Sequence, residues 1–279
     1  MNKVPCLTLN NGVSIPQLGY GVFEVPPEEA QGAVEAALGV GYRHIDTAAA
    51  YYNEAGVGAA IRASGIRRED IFVTTKLRNG DQGFEQTLSA FASSNRALGL
   101  DFVDLYLIHW PVPTQDRYIP SWKALEKLYD EGAVRAIGVS NFLRPHLDRL
   151  LSTADVVPAV NQIEVHPTFQ QDDLTRHVGM FGVAVEAYSP LGRGADLRSS
   201  AVLDLARRHG VSPAQIILRW HVQRGGIAIP KSVRLDRMRA NFDIFNFELT
   251  NEDLRLLSSL EGGVRVGGDP SIFDRSQIR

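Results

Sequence analysis

The sequence predicts an α/β fold, a closed (β/α)8 barrel of the TIM type preceded by an N-terminal β-hairpin. Two observations predict it. Eight short apolar runs alternate with amphipathic segments along the whole chain, the pattern of a parallel sheet with crossover helices. Polar residues also sit at the C-terminal end of one run after another: Asp46, Lys76, His109, Ser140 with Asn141, Gln162, Tyr188, and Lys231 with Ser232. In a closed barrel those ends converge on one mouth, where active sites are built. In an open sheet they would be strung along a line.

In chain order, "CLTL" and "VSIPQL" flank "NNG", and Asn-Gly signals a hairpin with a two-residue turn. The eight candidate strands follow: "QLGYG", "HIDT", "IFVTTK", "VDLYLIH", "AIGVS", "VNQIE", "VAVEAYS" and "IAIPKS". Amphipathic stretches such as "PEEAQGAVEAALGVG", "SWKALEKLYDEGAV" and "SAVLDLARRHG" lie between them. The first opens on proline and acids and ends near Gly39 and Gly41, as a helix should. "SPAQIILRWHVQRG" places Ser212 at an N-cap and Pro213 at the first helical position, and stops at Gly225. The tail "EGGVRVGGDPSIFDRSQIR" reads as a closing loop at the barrel rim. One barrel domain over 1–279 accounts for every element.

The composition of the 279 residues, 44% hydrophobic and 22% charged, is that of an ordinary soluble globular chain. A net charge of -3 without a basic stripe argues against a nucleic-acid partner. No apolar run approaches the roughly 20 residues that span a bilayer. "MNKVPCLTLNNG" has no apolar core followed by a cleavage site, so no signal peptide is expected. The single cysteine, Cys6, is expected to be small apolar filler, and its isolation suits a cytoplasmic location. No Cys/His pairs stand at ligand spacing, so no metal is expected. A monomer is expected, because no exposed heptad or strand edge calls for a partner.

The polar strand ends carry the chemistry. Taken alone, a lysine ending a strand is most often a solvated surface group, and a histidine after an apolar run is most often core. Asp46 changes the reading of Lys76, because neighbouring strands lie about 4.8 Å apart and the two side chains can pair. A buried ion pair is weak evidence of stability and asks for a functional account. His109 in "LYLIHWP" joins the same ring of strand ends. Tyr51 and Tyr52 follow in the loop after Asp46. A phenol beside an ammonium has its pKa lowered from about 10, by about 1–3 units for a close opposite charge, which makes a proton donor.

"YRHIDTAAAYYNE", "VTTKLRN", "DLYLIHWP", "IGVSNF", "NQIEVHP" and "IPKSV" together resemble the aldo-keto reductases, in order and spacing, from "SIPQLGYGVF" to "NFDIFNFELT". "SIPQLGYGVFEVPP" and the short C-terminal loop are most similar to bacterial 2,5-diketo-D-gluconate reductases. The resemblance implies an NADPH-dependent reductase of aldehydes and ketones, acting on a small carbonyl substrate. It implies a catalytic tetrad of Asp46, Tyr51, Lys76 and His109, with Tyr51 rather than Tyr52 as proton donor. Lys76, held by Asp46, would lower the Tyr51 pKa, and His109 would orient the carbonyl.

It further implies that Ser140, Asn141 and Gln162 hold the nicotinamide carboxamide and that Tyr188 stacks on its ring. Leu191 and Gly192 in "SPLGRG" would wrap the pyrophosphate. Lys231, Ser232 and Arg237 would hold a ribose 2'-phosphate and Asn241 would meet adenine, with Arg234 less constrained. "GVGAAI", Gly56–Ile61, imitates a dinucleotide fingerprint but lacks its third glycine and does not directly follow a strand. Phe23, Tyr52 and Trp110 match pocket-lining positions. Arg78, in "KLRN" where relatives commonly carry tryptophan, is expected in the pocket wall and would favour anionic or hydroxylated carbonyl compounds.

Two other readings remain at this level. Lys76 as a Schiff-base nucleophile needs an unpaired neutral amine. A regulatory subunit would keep the fold and cofactor but turn over negligibly.

Overall fold

The computed structural model describes residues 4–274. The chain opens with an antiparallel hairpin, β1 (Cys6–Thr8) and β2 (Ser14–Pro16). Its loop has three residues rather than the expected two. Leu9 N donates to Val13 O and Gly12 N to Leu9 O, with Gly12 at φ +85°. The second asparagine thus serves as turn body, and glycine supplies the left-handed position. Asn10 and Asn11 donate across to Pro158 O and Arg135 O. Cys6 is exposed in this hairpin and is not apolar filler, because β1 presents it outward.

The barrel follows as β3 (Tyr20–Gly21), α1 (Pro27–Val40), β4 (His44–Asp46), α2 (Glu54–Ala63), β5 (Phe72–Leu77), α3 (Phe84–Leu98) and β6 (Val103–Ile108). It continues through α4 (Tyr118–Asp130), β7 (Val134–Ser140), α5 (Arg144–Leu151), β8 (Val160–Glu164), α6 (Asp172–Gly179) and β9 (Ala184–Tyr188). It ends with α7 (Ser200–His209), α8 (Pro213–Gln223), β10 (Ile227–Ala228), α9 (Leu235–Phe242) and α10 (Asn251–Ser258). Strands β3 to β10 pair in order, all parallel. The sheet closes where Gly19 N donates to Ala228 O and Ala228 N to Gln17 O, both at 2.9 Å. All eight predicted strands are present, and β8 coincides with "VNQIE".

The helices form where the sequence dictates. Ser212 caps α8 in a reciprocal capping box with Gln215, and Pro213 follows at the first helical position. In α3 the buried residues are Thr87, Phe91, Ser94 and Leu98, spaced as one helical face laid on the sheet. The central strands β5 and β6 are buried along their whole length, as expected of a sheet covered on both faces. Leu9 and Ile15 of the hairpin join Phe72, Leu105, Leu107, Ala136, Val160 and Ile227 in one apolar cluster. The hairpin therefore plugs the N-terminal end of the barrel, and the polar strand ends open at the other.

The glycines of "GVGAAI" lie in α2 and serve helix packing. A Cβ at Gly58 would stand 1.8 Å from Leu98 O, and one at Gly56 would stand 2.9 Å from Ala30 Cβ. Gly58→Ala is therefore expected to destabilise the fold by about 2 kcal/mol or more, read by urea unfolding. A wild-type midpoint in that variant would show that α2 and α3 separate freely.

Candidate active site

At the C-terminal end of the barrel a cavity of about 250 Å3 is lined by Asp46, Tyr51, His109, Ser140, Asn141, Gln162, Tyr188 and Lys231, among others. Strand ends from around the barrel thus reach one space, as predicted. Its floor is the Lys76–Asp46 pair. Lys76 Nζ donates to Asp46 Oδ1 at 2.6 Å, to Oδ2 at 2.8 Å and to Thr47 O at 2.9 Å. An ammonium has three hydrogens, so all are engaged. That denies Lys76 the free amine of a Schiff-base nucleophile.

Tyr51 stands half-buried above this pair. Its ring centroid is 5.3 Å from Lys76 Nζ, 5.7 Å from the His109 ring and 5.1 Å from the Phe23 ring. Burial pushes the phenol well above its usual range, and the Asp46 and Glu186 carboxylates push it the same way. This reverses the expected lowering. The Lys76 charge is already matched by Asp46, so its net effect on the phenol is small beside desolvation. Tyr51 consequently keeps its proton throughout the neutral range. Burial, aided by the Lys76 charge, holds His109 well below the ordinary imidazole value, so its ring is neutral. Its Nδ1 is buried without a hydrogen-bond partner.

The opposite wall carries a second polar set. Asn141, at φ +64°, donates to His109 O and accepts the Tyr188 hydroxyl at 2.7 Å. Ser140 Oγ donates to Gln162 O. Asparagine tolerates this left-handed backbone better than most residues, which gives the "SN" of "VSNF" a conformational reason. Lys231 and Arg193 line the cavity and are exposed. Arg237 is also exposed, and no ion pair among the described residues uses Lys231 or Arg237. Arg234 is paired with Asp236 at 2.6 Å. Leu191, Ser232 and Asn241 stand beyond the cavity lining, on the loops after β9 and β10 and on α9, while Gly192 is buried against Asp196.

Trp110 and Phe23 line the cavity as expected. Tyr52 and Arg78 do not. They line a neighbouring groove, where Arg78 donates to Asp81 Oδ2 at 2.7 Å. Asp81, three residues on, captures the guanidinium and turns it from the cavity wall. Sequence reading missed Phe273, which stacks on Trp110 at 3.9 Å and 19° and lines the cavity with Gly267 and Gly268. The signal was a lone aromatic in a polar, glycine-rich tail. The described part of that tail, up to residue 274, closes over the rim, and its last five residues lie outside the described residues.

Glu164, His166 and Asp196 fasten the cover. Glu164 accepts from Val266 N at 2.5 Å and Gly267 N at 2.8 Å, holding the tail. His166 contacts Glu164 at 3.1 Å through Nε2 and Asp196 at 2.8 Å through Nδ1. Asp196 belongs to the segment after β9, so His166 links two loops over the mouth. Burial alone pulls His166 down, but the two carboxylates outweigh it and hold the imidazolium up to about 9.

The family model for the aldo/keto reductase family matches residues 16–261. An aldo-keto reductase of Mycolicibacterium smegmatis is 52% identical over 270 residues, covering 97% of this chain and 98% of its own. A glyoxal reductase of Bacillus subtilis is 49% identical over 263 residues, covering 94% and 95%. The crystal structure of a Gox0644 variant in complex with NADPH superposes with a TM-score of 0.93 at 41% identity, covering 97% and 98%. A barrel with this strand-end site and these relatives defines an oxidoreductase class. The chain belongs to the aldo/keto reductase family.

His166 is protonated in the fold to a higher pH than in the unfolded chain. Its stabilisation is therefore complete below about pH 6.5 and is lost as pH rises through about 9. In melting curves across that window, His166→Asn should flatten the loss. Equal slopes in both proteins would show that the imidazolium does not hold the cover.

Proposed function

We propose that the protein reduces small aldehydes and ketones to alcohols with NADPH, one chain forming one barrel domain and carrying the whole site. The observation that carries this reading is the Tyr51 phenol and the His109 ring packed together above a closed Lys76–Asp46 pair, at the floor of a largely apolar cavity. Neither group needs to change protonation state before reaction at neutral pH. Tyr51 donates its proton to the carbonyl oxygen as negative charge develops there. His109 offers one N–H to the same oxygen and orients it. Lys76 stays fixed by Asp46 and supplies positive charge beneath the phenolate that Tyr51 becomes.

The residues present fit a nicotinamide dinucleotide. Ser140, Asn141 and Gln162 set hydroxyl and amide groups on one wall, with the Tyr188 ring beside them. The exposed cations Lys231 and Arg237, with Ser232, would suit a 2'-phosphate, and Asn241 on α9 would suit adenine. Leu191 and Gly192, in the segment held by Asp196, suit the pyrophosphate. Arg favours phosphate because its planar fork pairs with two oxygens. When bound, NADPH supplies hydride to the carbonyl carbon.

The substrate reading is small dicarbonyl compounds, including diketo-sugar acids. The glyoxal reductase relative supports the first, and the resemblance of "SIPQLGYGVFEVPP" supports the second. Trp110, Phe273 and Phe23 leave room for a small carbonyl between apolar faces. Arg78 gives little charge selection, since Asp81 neutralises it outside the wall.

Tyr51→Phe is expected to lower kcat by roughly 10²–10⁴ while NADPH binding, followed by fluorescence, is retained. Turnover that survives the substitution would move the donor role elsewhere. Lys231→Ala with Arg237→Ala should weaken NADPH by about tenfold or more and leave NADH nearly unchanged, in competitive titrations. Equal losses for both cofactors would remove the 2'-phosphate assignment.

A further inference from the structure

At and beneath the cavity floor lies a buried polar layer. His44 and Asp46 come from β4, Thr74 and Lys76 from β5, Gln162 from β8 and Glu186 from β9. None is more than 3% exposed. Gln162 Nε2 donates to Asp46 Oδ2 and to Glu186 Oε2, each at 2.8 Å. An amide nitrogen has two hydrogens, so both are taken. Gln162 is thereby turned with its oxygen as the group left for the cavity.

The second oxygen of Glu186 is differently placed. Oε1 lies 3.3 Å from His44 Nε2, yet it receives no hydrogen bond from a donor among the described residues. His44 Nδ1 lies 3.3 Å from Pro16 O, which can only accept. Burial pushes His44 down to about 4, so its ring is neutral and has one N–H. That hydrogen belongs on Nδ1, facing Pro16. Nε2 then turns a lone pair toward Glu186 Oε1. Two facing lone pairs in a site without solvent are costly. Thr74 Oγ1, also 3.3 Å from Nε2, can serve the imidazole but leaves Oε1 orphaned. A hydrogen on Oε1 completes the chain from Gln162 through Glu186 and His44 to Pro16.

We propose that Glu186 is a positioning residue held as a neutral carboxylic acid, which fixes the Gln162 amide and leaves Asp46 as the sole anion facing Lys76. Its catalytic consequence rests on the reductase reading above. Burial first, and then the Asp46 carboxylate, push Glu186 up to about 8 against the opposing pull of Gln162 and Lys76. The proton thus persists at neutral pH and leaves in mildly alkaline solution. The groups facing Glu186 are His44 and Asp46 from β4, Lys76 from β5, Gln162 from β8 and, from above, Tyr51. Its ionisation adds a second negative charge beside Asp46 and offsets Lys76. Negative charge on the carbonyl oxygen is then less well stabilised. In the same window His44 and His109 stay neutral and Tyr51 stays protonated. His166 titrates at about 9, but its carboxylate partners are Glu164 and Asp196.

The test is Glu186→Gln, whose amide keeps a donor for His44 and an acceptor for Gln162. Wild-type kcat/KM should fall several-fold through pH ~8 to a lower plateau, whereas Glu186→Gln should stay within about twofold of the neutral wild type and lack that fall. Glu186→Leu, which frees the Gln162 amide, should weaken NADPH by about tenfold. Melting temperatures supply a readout that needs no turnover. A glutamate whose folded pKa is raised contributes stability that is complete below about pH 4.3 and lost as pH rises through the folded value. Wild type should therefore lose stability relative to Glu186→Gln from about pH 5 to 8.

Parallel melting curves, or an alkaline fall that survives in Glu186→Gln, would overturn the proposal. If neither protein reduces any carbonyl, the reductase reading fails while the melting comparison still decides Glu186. Should Glu186→Gln not fold, the infrared carbonyl band of a neutral carboxylic acid is followed in Glu54→Gln, which removes the other buried glutamate with a raised pKa. A band at pH 7 that disappears through pH ~8 supports the assignment, and its absence at pH 7 refutes it.

Discussion

A fully buried ammonium must find acceptors for all three of its hydrogens, or its desolvation destabilises the fold. Lys76 finds them in both oxygens of Asp46 and in Thr47 O, and the mouth of the barrel is arranged around that requirement. Asp46 must end β4 beside β5, and the parallel register that sets Asp46 opposite Thr74 brings it there. With the Lys76 charge matched locally, burial is the largest influence on the phenol and imidazole above it, and both remain neutral. In the proposed reaction the pair would therefore serve less to acidify Tyr51 than to keep a buried positive charge beneath it.

The barrel was legible in the sequence because its two signals are local. Apolar runs mark strands, and a polar residue ending each run marks the mouth. The Lys76–Asp46 pair was legible for the same reason, since adjacent parallel strands fix which ends meet. The direction of the Tyr51 shift was not legible. Pairing is set by strand order, but the balance between a nearby charge and burial depends on how dry the site is. Arg78 shows the same limit on a smaller scale. Nothing in "KLRN" says that Asp81 will fold back onto the guanidinium. Phe273 was hidden because a tail has no periodicity, and its place depends on Glu164, more than 100 residues earlier in the chain.

That long-range fastening explains why the cover of the site is built from otherwise unrelated segments. Glutamate and aspartate each side of a histidine would repel one another without the imidazolium between them. His166 converts the repulsion into a link between the segment after β9 and the C-terminal tail. Both segments contribute to the cavity, Ser189, Pro190 and Arg193 from one and Gly267, Gly268 and Phe273 from the other. A Cβ on Gly267 would stand 2.5 Å from Glu164 Oε2, so a side chain there would shift the carboxylate that holds the tail. This wall of the cavity is thus held by groups other than Asp46, Tyr51, Lys76 and His109.

Along the barrel axis the side chains change character in layers, and each layer sets the conditions for the next. The hairpin and its apolar cluster stop the N-terminal end and exclude water from that side. Water exclusion is what keeps His44 neutral and lets Glu186 retain a proton. A neutral Glu186 in turn confines negative charge to Asp46, where it matches Lys76, and leaves a single ion pair under Tyr51. A more open plug would hydrate the polar layer, return its groups toward ordinary values and place two anions beneath Tyr51. The N-terminal hairpin, remote from the mouth, is therefore an electrostatic part of the site.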